Sequence, residues 1–159
     1  MFLKLVALGL TAIIFVPSGA HLFELPGKIN LNREAYFTVQ QIYAGWAWFA
    51  VPIVAAIVAN GALSLAEHRR DRIAARAALV SSALIVVTLV IFFIWVFPAN
   101  YATSNWTLIP DSWAELRRNW EYGHAANALI LFAALLATGR ALISRETDAH
   151  RATSRHPVK

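Results

Sequence analysis

Residues Ala77 to Phe97 contain no Asp, Glu, Lys or Arg, and they close on the bulky run Ile91-Phe92-Phe93-Ile94-Trp95. A helix needs about 20 mostly apolar residues to cross the hydrocarbon core of a bilayer, so this stretch nearly settles the class of fold by itself. The pattern recurs. Leu5 to Phe23 and Ala35 to Ala66 are equally free of charge, the second long enough to span and project beyond the bilayer. Ala125 to Gly139 is also uncharged, and it extends to about Ile143 because Arg140 can snorkel. Open strands would leave backbone groups unpaired in lipid, so these segments are read as helices. The expectation is an all-α, integral membrane four-helix bundle forming one domain over 1–146. Its spans fall at about 5–23, 38–66, 77–97 and 122–143, and a basic, disordered tail occupies 147–159.

Composition agrees. Only 14% of the 159 residues are charged and 58% are hydrophobic, against about 25% charged in a soluble domain. With no cysteine, disulfides and thiolate chemistry are excluded. The net charge of +5 does not form a stripe suited to nucleic acid, so no nucleic-acid partner is expected. The basic residues instead report topology. Lys4, Arg69, Arg70, Arg72, Arg76, Arg140, Arg145, Arg151, Arg155 and Lys159 fall on one side, and Lys28, Arg33, Arg117 and Arg118 on the other. By the positive-inside rule both termini are cytoplasmic and the two longer connections, Glu24 to Glu34 and Pro98 to His124, face outward. The start, with Lys4, an apolar run and Pro17-Ser18-Gly19-Ala20, also fits a secretory signal; retention as the first span is expected.

Small residues should mediate packing, since lipid gives little hydrophobic drive. Ala55, Ala56, Ala59 and Asn60 serve the second span, and Ala126, Ala133, Ala134 and Ala137 the fourth. The third is bulkier and should show more surface to lipid. Pro52 should kink the second span near Trp48.

Polar groups gather at the outward ends. His21 and Glu24 stand three apart, and Gln40, Gln41 and Tyr43 open the second span. Asn100, Asn105 and Trp106 follow the third. Ser112-x-x-Glu115 is a capping box after Pro110-Asp111, so the fourth helix starts well before its apolar part. From there Trp113, Arg117, Trp120, His124 and Asn127 form one stripe. Glu121 lies beside it, within reach of Arg117 or His124.

A metal reading takes His21, Glu24, Glu121 and His124 as ligands, with Glu34 as one more nearby carboxylate. Carboxylate-bridged di-iron bundles use two Glu-x-x-His pairs and two further Glu, and this set is incomplete. Haem held by His21 and His124 is a further option. Against both stands the plain alternative of a solvated Glu24 and a salt bridge from Glu121 to Arg117 or Arg118. His68, His150 and His156 sit in charged segments and are read as solvated. The six Trp residues are mostly interfacial anchors, apart from Trp106 and Trp120, which adjoin polar groups.

Leu116-Arg117-x-x-Trp120-Glu121-x-x-His124, preceded by Pro98-Ala99-Asn100, resembles the anthrone-oxygenase-like family of small four-helix membrane proteins. Many bacterial members of that family carry only a domain-of-unknown-function label. The resemblance implies oxygenation of a small aromatic substrate without metal, flavin or other cofactor. Asn100, Trp120 and His124 would be catalytic, with Arg117 in support. Where an Arg commonly stands three positions after the His, this chain has Asn127, which removes one holder for an anionic substrate.

Together these features suggest a multi-pass protein of a bacterial inner membrane that takes a small apolar ligand from the bilayer. His124 would be the general base, with Asn100 and Asn105 as hydrogen-bond donors. Trp120 and Trp106 would stack on the ring, with His21 and Glu121 beside it. The rival is a non-catalytic module that binds a lipid, quinone or partner helix. Assembly with further copies of itself is left open.

Overall fold

The computed structural model describes residues 1–154, with side chains through Ser144. Helix α1 runs Phe2–Lys28 and carries Pro17 and Pro26 without breaking. A short amphipathic helix, α2 (Arg33–Gln40), follows; its N-cap Asn32 accepts from the Ala35 N–H at 2.9 Å. The next long helices are α3 (Ala50–Glu67) and α4 (Arg72–Ile91). A π-helical turn, Phe92–Val96, joins α4 to α5 (Phe97–Ala102), and α6 occupies Trp113–Ser154. Four of these helical stretches are long and apolar enough to cross a membrane: Phe2–Lys28, Trp46–Glu67, Arg72–Ala102 and Trp113–Ser144. The fold is a membrane helical bundle. Helix α6 carries the backbone through Ser154, into the tail of 147–159 that was expected to be disordered; the side chains of that tail lie outside the described residues.

The second apolar segment departs from the expected single span of 38–66. It breaks between α2 and α3 into two 3-10 turns, Gln41–Tyr43 and Trp46–Phe49, around Gly45 at φ +84°. That left-handed backbone suits a residue without a Cβ, and a charge-free sequence gives no warning of it. The break lets α2 bury Tyr36, Phe37 and Gln40. It also changes the part of Pro52, which lies in the first turn of α3, where the missing N–H would have had no intrahelical partner. The kink expected there is not required.

The four long stretches form an antiparallel ring in which α6 packs on α1 and α4, and α3 on the same two. Small residues permit the approach. Ala7, Ala59, Ala74, Ala78 and Ala141 surround Leu63 in one layer, and Ala56 and Ala134 join Ile14, Ile85 and Leu131 in the next. In α6 the buried stripe is Ala128, Leu131, Ala134, Thr138 and Ala141; Ala133, expected at the contact, is exposed. The third span is the least buried of the four, as its bulk suggested. Gly123 of α6 meets the π-helical turn so closely that a Cβ would lie 2.9 Å from Val96 Cγ2.

Thr11, Asn60, Ser81 and Thr138, one from each long helix, form a neutral knot that is fully buried. Asn60 Nδ2 donates to Thr11 Oγ1 at 3.0 Å, Thr138 Oγ1 donates to Asn60 Oδ1 at 3.0 Å, and Ser81 Oγ lies 2.8 Å from Thr138 Oγ1. At the end of the bundle that holds the start of α1 and the α3–α4 turn, Lys4 Nζ donates to the Ala141 carbonyl at 2.9 Å and approaches Glu67 at 3.9 Å. Asp71 caps α4 through the Ile73 and Ala74 N–H groups and accepts from Ser144.

Candidate functional site

The opposite, loop end is built around charge. Helix α1 continues a further two turns beyond His21, so His21, Glu24 and Lys28 share one face. Lys28 Nζ reaches Glu121 Oε1 at 3.0 Å, Tyr43 Oη at 3.0 Å and Glu24 Oε2 at 3.8 Å. The Tyr36 hydroxyl donates to the same Glu121 oxygen at 2.9 Å and accepts from Gln40. The Tyr43 hydroxyl donates to Glu24. The Lys28 ammonium also sits 4.5 Å from the ring centroids of both Tyr43 and Trp120. Burial, and then the Glu121 carboxylate, push the Tyr36 hydroxyl well above the ordinary phenol range. Burial and the bond to Glu24 do the same for Tyr43. Both therefore remain protonated donors near neutral pH.

Beside this charged cluster lies an imidazole pair. The His21 and His124 rings stand 4.2 Å apart, centroid to centroid, tilted by 33°. Trp120 packs on both, at 4.9 and 4.3 Å, and Tyr43 and Trp46 close over His21 at 4.7 and 5.5 Å. His21 is buried and His124 half-buried. His21 Nδ1, Gln40 Oε1, Arg117 Nε and Glu121 Oε2 are buried without a hydrogen-bond partner, an uncommon density of orphaned polar atoms.

Asn100 sits in α5, and its Oδ1 accepts from the indole N–H of both Trp106 and Trp120, at 3.0 and 2.9 Å. It clamps the aromatic wall. Trp106 reaches this clamp from a turn in which Ser104, Asn105 and Trp106 all have positive φ. Left-handed backbone costs about 1–2 kcal/mol per residue other than Gly, Asn or Asp, so strain is stored in the turn at Ser104 and Trp106. Hydrogen bonds from the Trp106 N–H to Thr103 Oγ1 and from the Asn105 N–H to the Asn100 carbonyl support the turn.

The structure thus brings together His21, His124, Trp120, Asn100 and Trp106, and it places several other groups differently from the readings of the sequence. Glu121 pairs with Lys28 and Tyr36, not with Arg117, Arg118 or His124. Arg117 instead donates to the Leu31 carbonyl at 2.7 Å and lies over Trp113. Asn105 is exposed in the left-handed turn. The alternative metal set of His21, Glu24, Glu121 and His124 is not assembled: among the described residues no three such groups converge, and the Lys28 ammonium contacts both carboxylates. Rings with centroids 4.2 Å apart also leave no room for a haem macrocycle between them. Glu34 is an exposed partner of Arg33.

Lys28 and Tyr36 are the residues that sequence reasoning missed. The spacing of His21, Glu24 and Lys28 by three and four was the available signal, and it counts only because α1 continues through Lys28. No family model matches the chain, and neither does a curated protein or a solved structure.

Proposed function

We propose that this protein is a membrane-embedded enzyme that takes a small apolar aromatic substrate from the bilayer and oxygenates it at the His21–His124 pair. The observation that carries this reading is the juxtaposition of two imidazoles at 4.2 Å inside an aromatic wall, next to a buried ammonium. Ionisable groups inside a membrane bundle are costly to hold. The likeness of the Leu116 to His124 stretch to anthrone-oxygenase-like proteins supports the same chemistry. The charge asymmetry supports cytoplasmic termini in a bacterial inner membrane.

His124, half-buried and edge-on to Trp120, is the general base. It takes a proton from an acidic ring CH₂ of the substrate. The carbanion passes its electron pair to dioxygen, a co-substrate that itself dissolves in the bilayer. The resulting peroxide takes back a proton, and loss of water leaves a ketone, so CH₂ and O₂ become C=O and H₂O. The Lys28 ammonium behind Trp120 favours the anionic stages. Asn100 acts as a positioning residue through Trp120, because its carbonyl is committed to the two indoles.

Oxygen uptake by protein in nanodiscs, with a hydroxylated anthrone as substrate, tests the reading. His124→Ala should lower the rate by about 10²–10⁴, the range for losing a general base. A wild-type protein that consumes no oxygen, or an undiminished His124→Ala variant, would leave the imidazole pair as a binding or structural device.

A further inference from the structure

The 3-10 break around Gly45 leaves an apolar groove of about 300 Å³, lined by Ala44, Gly45, Trp46, Trp48, Phe49 and Pro52. That volume lies at the lower end of small-molecule sites. Trp48 is 79% exposed, so one rim of the groove faces the surroundings of the bundle. The other rim is Trp46, whose ring packs on His21 at 5.5 Å and on Tyr43 at 4.9 Å. One indole therefore stands between the groove and the imidazole pair.

That indole is carried by a segment suited to moving. Gly45 holds the left-handed φ of +84°, and a Cβ there would meet nothing within 4 Å. Its constraint is torsional, with no packing component. On the near side of Gly45, the Tyr43 hydroxyl is fastened to Glu24 and Lys28. On the far side, Pro52 in the first turn of α3 fixes the base of the groove.

We infer that this groove is the entry subsite for a small planar apolar ligand, and that Trp46 is the gate between it and the imidazole pair. The gate is hinged at Gly45 and latched through Tyr43 to Glu24 and Lys28. The identity of the occupant rests on the function proposed above; the gate itself does not. The groove shares Trp46 with the aromatic wall and has no charged side chain among its lining residues, which matches a ligand arriving from lipid.

Two measurements on the full chain in phosphatidylcholine–phosphatidylglycerol nanodiscs decide it. The first is the rate of His21 carbethoxylation by diethyl pyrocarbonate, read by peptide mass spectrometry. Tyr43→Phe keeps the ring but removes the latch, and Gly45→Ala disfavours the closed torsion. Each should raise the rate about five- to tenfold, the population change from one lost hydrogen bond or one left-handed alanine. Gly45→Asn should stay near wild type, because Asn tolerates left-handed backbone. Unchanged rates in Tyr43→Phe and Gly45→Ala, or a Gly45→Asn rate as high as that of Gly45→Ala, would overturn the gate.

The second is stopped-flow quenching of tryptophan fluorescence by anthrone. Ala44→Trp fills the groove away from the imidazoles, so association and dissociation should slow by the same factor while the plateau is unchanged. Equal rates in Ala44→Trp and wild type would overturn the entry subsite. If wild type shows no anthrone signal at all, the entry subsite for this ligand class and the proposed function fail together, while the carbethoxylation result still decides the gate.

Discussion

The neutral knot and the charged loop end are both buried and both polar, and they are built by different rules. In the knot, Thr11, Asn60, Ser81 and Thr138 each come from a different helix and each find partners. No formal charge is present, and no knot atom is left unpaired. At the loop end, Lys28 and Glu121 face each other with Glu24, Tyr36 and Tyr43 around them, and four polar atoms remain orphaned. Neutral hydrogen bonds between membrane helices contribute little individually, about 0.6 kcal/mol on average and at most about 1.7. A buried ion pair costs several kcal/mol of desolvation per ion and recovers it only with good geometry. The knot is what a bundle needs to fix its register. The loop end exceeds that need, and that excess is why the proposed function is assigned to it.

The largest expected effect breaks the charged half. Lys28→Met or Glu121→Leu alone strands the opposite charge and should cost about 3–5 kcal/mol, whereas the double variant should recover most of the loss. Unfolding in mixed micelles by SDS titration reads all three. Equal, additive losses would mean that the two groups do not act as a pair.

A smaller effect is expected from the knot. Asn60→Leu removes the bonds to Thr11 and Thr138 and should cost about 1–2 kcal/mol in the same titration. A loss as large as that of Glu121→Leu would erase the distinction between the clusters.

These two clusters were not equally legible in the sequence. The long helices follow from apolar length alone, which is a property of composition, and the start of α6 at Trp113 follows from Pro110-Asp111-Ser112. The knot was half visible, since Asn60 stands among small residues at helical spacing. The Lys28–Glu121 pair was hidden because it joins two helices, and its formation depends on how α1 is rotated about its axis. The Gly45 break was hidden because an uncharged run looks the same whether or not one residue turns left-handed. His124 was singled out through its stripe, yet its neighbour is the tilted ring of His21, not the carboxylate that sequence spacing offered.

The smallest effect lies at the α3–α4 turn and sharpens the contrast with the buried pair. Burial raises the Asp71 carboxyl, but hydrogen bonds from Ser144 and from the Ala74 and Ile73 N–H groups outweigh it and hold the group below its ordinary value of 3.8. A depressed value means that its contribution is complete above about pH 4 and is lost as pH falls further. Asp71→Ala should cost about 1 kcal/mol, as for other lost N-caps, and the difference from wild type should shrink on acidification. A pH-independent difference would assign the effect to packing.

The most direct test of the loop end as the functional half is a single set of anthrone titrations, read by calorimetry, on nanodisc-embedded wild type, His124→Ala and Asn60→Leu. The expected result is that His124→Ala weakens binding at least about tenfold, or 1.4 kcal/mol, while Asn60→Leu binds like wild type despite its lower stability. Affinity unchanged in His124→Ala, or lost equally in both variants, would contradict it.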